Sequence, residues 1–431
     1  MIRGGRGIGD GVVADLGDLG LTAVSPPQGG KFAGLVVDRP SLGASTLVGG
    51  LPGLGGILIP AAPRVLHIII VWGQSLAVGA DSAASRVTLS QPWPEDALMF
   101  DRAVGADVRM GLVTANLALT QVLDPEDLTG FRPLVASVGQ GPGERGETVL
   151  EGCIKRLTGL ARKANIQHRT LGIAIGTGST AYDDLKQGTQ SYANMIAAVG
   201  RAKELAEARG WRAIVDCVIV KHGEADSDNS GYAADLAELQ ADVDADFKAV
   251  TGQAADVHLF VAPPSSFGAN TDAVRAMTAA DGPLIHVVGA DYVYADAYFT
   301  DFVHFNGAGY QLRGEDLALA IRDQLWGAGY KATKMLSGSR SGTTVTLTYQ
   351  VPTPPLAIDT VAVSDPGQRG FQFFAGSTEI PITSVAVTDT GAGDGLGAIQ
   401  LTLASAPSSG TERVDYALRL QTAPKTLAGV P

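Results

Sequence analysis

Between about Arg64 and Tyr330 the chain alternates two hydrophobic patterns. Short, continuously apolar, β-branched runs recur: VLHIIIVW, LGIAIGTG, AIVDCVIVKH, DVHLFVAPP and PLIHVVGADYVY. Runs of this length without polar alternation predict strands buried on both faces of a parallel sheet. Between them lie GETVLEGCIKRLTGLARKAN, SYANMIAAVGRAKELAEARG and YAADLAELQADVDADFKAVTG, each with apolar residues at helical spacing. A last helix is predicted from Ala308 to Trp326. Strand–helix alternation of this kind predicts an α/β domain over residues 61–330, a three-layer, doubly wound parallel sheet.

The pattern changes on either side. From residue 331 to 431, GTTVTLTYQV, DTVAVSD, GFQFFAG, SVAVTDT and AIQLTLASA are short alternating segments separated by Gly, Ser, Pro and Asp. They predict an all-β module, a sandwich. Residues 1–60, with GGKFAGLVVDRPSLGASTLVGGLPGLGGILIP, follow neither period, and their glycines are costly to order alone. The segment is too apolar for a solvated linker and is read as an arm that packs on a partner or a sister chain.

Composition narrows the function classes. The formal net charge of -12 argues against nucleic acid or an anionic membrane as the main partner. No apolar run reaches bilayer-spanning length, and the start MIRGGRGIGDGVV lacks the apolar core of a secretory signal, so a soluble chain without a signal peptide is expected. Only two cysteines occur, Cys153 and Cys217, both in apolar patterned segments. They offer no zinc spacing and are expected as buried free thiols.

In open parallel sheets, ligands bind beyond the carboxyl ends of the strands. The polar residues following the predicted strands are therefore the candidates: GQS with Ser75, GTGST with Gly178, KHGEAD with His222 and Glu224, and TDFVHFNGAGYQ with Asp301 and His304. A serine hydroxyl is a weak nucleophile until an adjacent base takes its proton, and a carboxylate fixes the tautomer of that base. Asp301 and His304 lie three apart in a turn before a helix, a spacing that can set carboxylate beside imidazole. The order Ser, Asp, His matches α/β-hydrolases, but Ala77 stands where the G-x-S-x-G elbow needs its second glycine.

GQSLA, GTGSTAYDDL, HGEAD and DFVHFNGAGY resemble the ordered blocks of the SGNH hydrolases, most of all the carbohydrate-esterase branch of sialate O-acetylesterases and acetylxylan esterases. The likeness covers roughly residues 64–328. It implies Ser75 as nucleophile, His304 as base and Asp301 as its orienting partner, acting on acetylated carbohydrate without metal or cofactor. It further implies an oxyanion hole of the Ser75 and Gly178 backbone N–H groups with a side-chain donor from the third block. Gln74, His222 and Glu224 complete the candidate site. The branch has Gln before Gly-Glu where this chain has His222, which is read either as an oxyanion donor or as a structural residue. Glu224 is read as organising its loop, and Leu76 stands where the branch commonly has Asn.

The layout of arm, esterase-like domain and β module also resembles a phage tail fibre or tailspike. That resemblance implies a virion setting, contact with other tail proteins through residues 1–60, and a homo-oligomer such as a trimer. Its strict alternative is a non-catalytic receptor-binding component with a vestigial site. Two decoys are set aside: DSDNSGYAADLAE opens like a calcium loop but has Ala237 at position twelve, and GQGPGERGE lacks the Walker lysine. The second is read instead as a substrate-side loop opening a helix. His67, His258 and His286 fall within apolar runs and are read as satisfied core or edge histidines.

Overall fold

The computed structural model describes residues 21–22, 36–37 and 65–417, the last apart from 103–118, 137–144, 266–271, 290, 295–297, 302, 328–331, 360–364, 366 and 409. The chain divides into two compact units, Met1–Arg64 and Val65–Pro431. In the first, β1 (Leu21–Thr22) pairs antiparallel with β2 (Val36–Val37). The rest of the expected arm, with its attachment role, lies outside the described residues.

The second unit is built on a seven-stranded sheet of β3 (Val65–Gly73), β4 (Ala97–Arg102), β5 (Leu128–Pro133), β6 (Arg169–Gly176), β7 (Arg212–Lys221), β8 (His258–Val261) and β9 (Ile285–Val287). The order is β5-β4-β6-β3-β7-β8-β9. All neighbours are parallel except β4 and β5. The central strands are buried along nearly their whole length, as continuous apolar runs require. Strand β4 and the edge strand β5 are absent from the sequence reading. LTGFRP is half exposed and carries Gly and Pro, so it shows no buried run.

Helices cover both faces. On one face α2 (Gln190–Glu207), α3 (Tyr232–Thr251) and α4 (Asp272–Ala279) bury Met195, Val199, Leu236, Leu239, Val243 and Met277 against Ile68, Ile70, Trp72 and Val218. On the other, α1 (Val149–Lys163) and α5 (Gly307–Trp326) pack Leu150, Cys153, Leu157, Leu317 and Ile321 against Ile69, Val71 and Ile219. Alternate residues of β3 thus feed two cores, the consequence of the strand's period of two. Cys153 and Cys217 are buried free thiols.

Beyond α5, two antiparallel sheets share one core. The first runs β10 (Lys334–Ser341), β11 (Thr344–Gln350), β15 (Leu396–Leu403) and β14 (Ile382–Thr390); the second runs β13 (Thr378–Ile380), β12 (Phe371–Ala375) and β16 (Glu412–Tyr416). Val345, Leu347, Phe371, Phe373 and Leu401 fill the space between them. Arg275 reaches Asp415 at 2.8 Å, and Lys334 pairs with Asp281, so ion pairs link this module to the α/β part. Among the described residues no helix is long and apolar enough to cross a membrane.

The expected strand PLIHVVGADYVY is cut short. It pairs only over Ile285–Val287, and Asp291–Tyr294 forms a 3-10 turn. Asp291 is a buried carboxylate with two cationic partners, Lys221 at the end of β7 and Arg313 of α5.

Helix α1 begins with a capping box. The Thr148 hydroxyl accepts the Leu150 N–H at 3.1 Å, and the fully buried Glu151 carboxylate accepts the Thr148 N–H at 2.8 Å and its hydroxyl at 2.6 Å. Burial, reinforced by the neighbouring Glu147, pushes the Glu151 carboxyl from 4.5 up to about 8. Since this folded-state value lies above the unfolded one, its contribution to stability is whole below about 4.5 and is lost as pH rises towards 8. Glu151→Gln keeps the accepting oxygen and removes the titration. Its thermal midpoint should equal or trail that of the native chain at pH 4.5 and overtake it progressively up to pH 8, as melting curves across that range will read.

Candidate active site

Three strand ends meet at backbone contact. A Cβ on Gly73 would lie 2.0 Å from the Lys221 carbonyl oxygen, and one on Gly176 would lie 2.3 Å from the Gly73 carbonyl oxygen. Gly73 also holds a φ of +146°, which side-chain-bearing residues rarely adopt. This approach sets the turn after β3, which carries Ser75, beside the loops after β6 and β7. It lies where the chain leaves the central strand to either side, the crevice that parallel sheets use for ligands.

Asp301 and His304 arrive from a separate turn. Phe299 and Phe305 pair across it, the Thr300 N–H donates to the His304 carbonyl at 2.8 Å, and Asn306 caps α5 through the Gly309 N–H. Within the turn, Asp301 Oδ1 accepts the backbone N–H groups of Val303 and His304, each at 2.6 Å. Its Oδ2 lies 2.9 Å from His304 Nδ1, and His304 Nε2 lies 2.8 Å from Ser75 Oγ. Burial is the largest influence on Asp301 and pushes its carboxyl up. The two backbone N–H groups and the imidazole outweigh it and hold the group below its ordinary value. A carboxylate, an imidazole and a hydroxyl therefore form one continuous line.

A second carboxylate joins that line. Asp81 Oδ2 lies 3.1 Å from the same Nδ1 of His304. Asp81 stands at a φ of +62°, a left-handed position that Asp tolerates. No spacing in the sequence singles it out, since its reach depends on a turn conformation and on a histidine more than two hundred residues away.

The backbone donors expected for an oxyanion are open. Among the described residues, neither the Ser75 nor the Gly178 N–H donates to another group. The space a Cβ at Gly178 would fill is bounded by Ser75 Cβ at 3.9 Å and by Arg145 Nη2 at 3.2 Å.

His222 stands elsewhere. Its Nε2 donates to the Thr180 carbonyl at 2.9 Å, and its Nδ1 accepts the Tyr232 hydroxyl. Both nitrogens are engaged, so the ring has no hydrogen to give an oxyanion, and its observed place is structural. Burial lowers it to about 4, so it is neutral at pH 7 and ties the Gly178 loop to the strand beside it. Gln74 is buried too, its Oε1 3.4 Å from the Ala225 N–H, which links the Ser75 turn to the loop after β7. Both Glu224 carboxylate oxygens are buried with no hydrogen-bond partner among the described residues, and burial, opposed by the Lys221 charge, raises that group to about 7.

Beneath the site lies a buried ion network absent from the sequence reading. Asp291 binds Lys221 at the end of β7 through one oxygen and Arg313 of α5 through the other, at 3.0 Å for the latter. Arg313 also donates to the Val288 and Gly289 carbonyls. All three side chains are at most 2% exposed. The network fastens the sheet end under Ser75 to the helix that follows His304.

Among the described residues, two side-chain groups have the composition of metal ligands. In Asp81, Asp301 and His304 the donor atoms lie within 4.8 Å of one another, yet the imidazole nitrogen concerned is the one that hydrogen-bonds the carboxylates. In His67, His168 and Asp216, at the far end of the sheet, His67 Nδ1 bonds Asp216 at 2.9 Å. The two rings there lie 4.0 Å apart and tilted by only 34°. Two imidazoles converging on one tetrahedral ion need centroids about 5 Å apart. That group is a packed histidine pair on a carboxylate. The calcium-like stretch is likewise occupied internally: Asp226 accepts the Tyr182 N–H and Asn229 bonds Asp235.

No family model and no curated protein matches the chain. Among solved structures, a carbohydrate acetylesterase from Xanthomonas citri is 13% identical over 81% of this chain and 74% of its own, with a TM-score of 0.46. A protein from Arabidopsis thaliana is 14% identical over 60% of this chain and 98% of its own, with a TM-score of 0.40. NanS is 14% identical over 62% and 98%, with a TM-score of 0.39. Likeness of this degree assigns no activity, so the functional reading rests on the residues of the site.

Removing Asp291 leaves two buried cations uncompensated. Asp291→Ala is expected to lower the unfolding free energy by about 3–5 kcal/mol, read as a drop in the urea midpoint.

Proposed function

We propose that this chain is a serine carboxylic-ester hydrolase that removes O-acetyl groups from carbohydrate. The observation that carries the reading is the unbroken contact line from Ser75 Oγ through His304 to Asp301, at 2.8 and 2.9 Å. The acetyl and carbohydrate preference rests on the resemblance of the Ser75, Gly178, Glu224 and His304 blocks to SGNH carbohydrate esterases.

The chemistry follows from the geometry. Ser75 Oγ attacks the ester carbonyl carbon while its proton passes to His304 Nε2, and the carbonyl electron pair moves onto oxygen. That oxyanion meets the open N–H groups of Ser75 and Gly178, and the carboxylates on Nδ1 stabilise the imidazolium. Collapse breaks the bond to the sugar oxygen, which takes the proton back from Nε2. Water then enters by the same route, gives a proton to His304, and releases acetate from Ser75. Attachment to a virion through residues 1–60 remains part of the proposal on composition alone.

Acetate release from an aryl acetate and from acetylated polysaccharide tests the reading. Ser75→Ala, with unchanged circular dichroism, should lose on the order of 10⁶-fold in kcat. Equal hydrolysis by both proteins would sink it and favour the receptor-binding alternative. Because two carboxylates reach Nδ1, Asp301→Asn and Asp81→Asn should each cost less than the roughly 10⁴-fold loss of a triad with a single carboxylate. The double variant should show the full loss in kcat on the aryl acetate.

A further inference from the structure

The expected oxyanion hole has a side-chain donor, and His222 cannot supply it, because both its nitrogens are engaged. Arg145 stands where such a donor is needed. Its backbone is stitched to the turn directly after the nucleophile. Arg145 pairs with Ala80, the Gly146 N–H donates to Gly79 at 3.0 Å, and the Ser82 hydroxyl donates to the Glu147 carbonyl at 2.9 Å. From there its Nη2 reaches 3.2 Å from the point a Gly178 Cβ would occupy, with Ser75 Cβ 3.9 Å from that same point. Nucleophile, backbone donor and guanidinium therefore border one space.

Among the described residues the guanidinium makes no hydrogen bond and no ion pair, and its Nε is buried without a partner. Asp81 and Tyr310 act on it through space, while burial pulls its pKa below the ordinary value. A half-buried cation whose Nε is shut off from water and has no acceptor among the described residues is costly at rest. The cost is recovered when a negative oxygen forms beside it, where low local dielectric makes a fixed cation effective without reorganisation. An ester at Ser75 develops that oxygen against Gly178.

We infer that Arg145 is a catalytic residue of this site, a charged third donor to the ester oxyanion beside the N–H groups of Ser75 and Gly178. The inference rests on the esterase reading, and it gives Gly178 a second purpose: any side chain there would crowd the guanidinium.

The test is steady-state hydrolysis of a neutral aryl acetate by the full chain and by Arg145→Gln, Arg145→Lys and Arg145→Gly. Loss of the donor should lower kcat about 10²–10³-fold with KM unchanged. Lysine, which keeps the charge but not the planar fork, should recover part of it. Added guanidinium chloride at millimolar concentration should restore rate to Arg145→Gly and leave the native chain unaffected, a rescue that an unfolded variant cannot show. Unchanged kcat in Arg145→Gln, or a change confined to KM, overturns the inference while leaving the esterase reading standing. The same holds if the loss appears only with anionic esters, which would make Arg145 a reader of substrate charge. A native chain inert on every ester overturns both.

Discussion

The contact on which the site depends is between backbones. β3, β6 and β7 converge until Gly73 touches the Lys221 carbonyl and Gly176 touches that of Gly73, a fit that excludes even a methyl group. Strands in a sheet normally keep about 4.8 Å between them. Here the backbone of the two glycines leaves no room for a side chain where the chain leaves the sheet, and the loops that follow lie side by side. Ser75, the Gly178 N–H and the ring of His222 take their places from that closure. Any larger residue at 73 or 176 would spread the loops and move Ser75 away from Gly178.

The other half of the site comes from far along the chain and needs its own anchor. The turn holding Asp301 and His304 is closed by its own backbone bonds and by Asp301, which accepts two N–H groups of the turn it belongs to. Its position over Ser75 is set by α5, and α5 is fixed to the sheet through Arg313, Asp291 and Lys221. A buried ion network is a poor way to gain stability against well-packed hydrocarbon. It is directional, however, and here it joins a strand end, a turn and a helix in one orientation. That suits a site whose working distances are 2.8 and 2.9 Å.

Charge around the imidazole is arranged asymmetrically. Two carboxylates, Asp81 and Asp301, face Nδ1, while Arg145 Nη2 borders the space between Ser75 and Gly178. Glu224 is buried with no hydrogen-bond partner among the described residues, and burial, opposed by the Lys221 charge, raises its carboxyl to about 7.

The sequence by itself determined the sheet's central strands, the helices on both faces and the order of the polar blocks. Continuous β-branched runs fit strands buried on both faces, and their alternation with segments of helical spacing points to a parallel sheet. It also made Ser75, Asp301 and His304 the natural group, because nucleophile, base and carboxylate are chemically distinctive types. It missed β4, a short run that is buried over its first four residues, and β5, whose half-exposed edge pattern resembles a loop, and it extended β9 past the point where buried Asp291 draws the chain away. Tertiary structure alone decided the rest. His222 turned to Thr180 and Tyr232 because the neighbouring loop and α3 offer it two partners in a dry interior. Asp81 and Arg145 reached the site because a left-handed turn and one bridge between distant segments put them there. Residue type and spacing along the chain are written in the sequence, but which hydrogen-bonding groups are left open is fixed only when the loops pack.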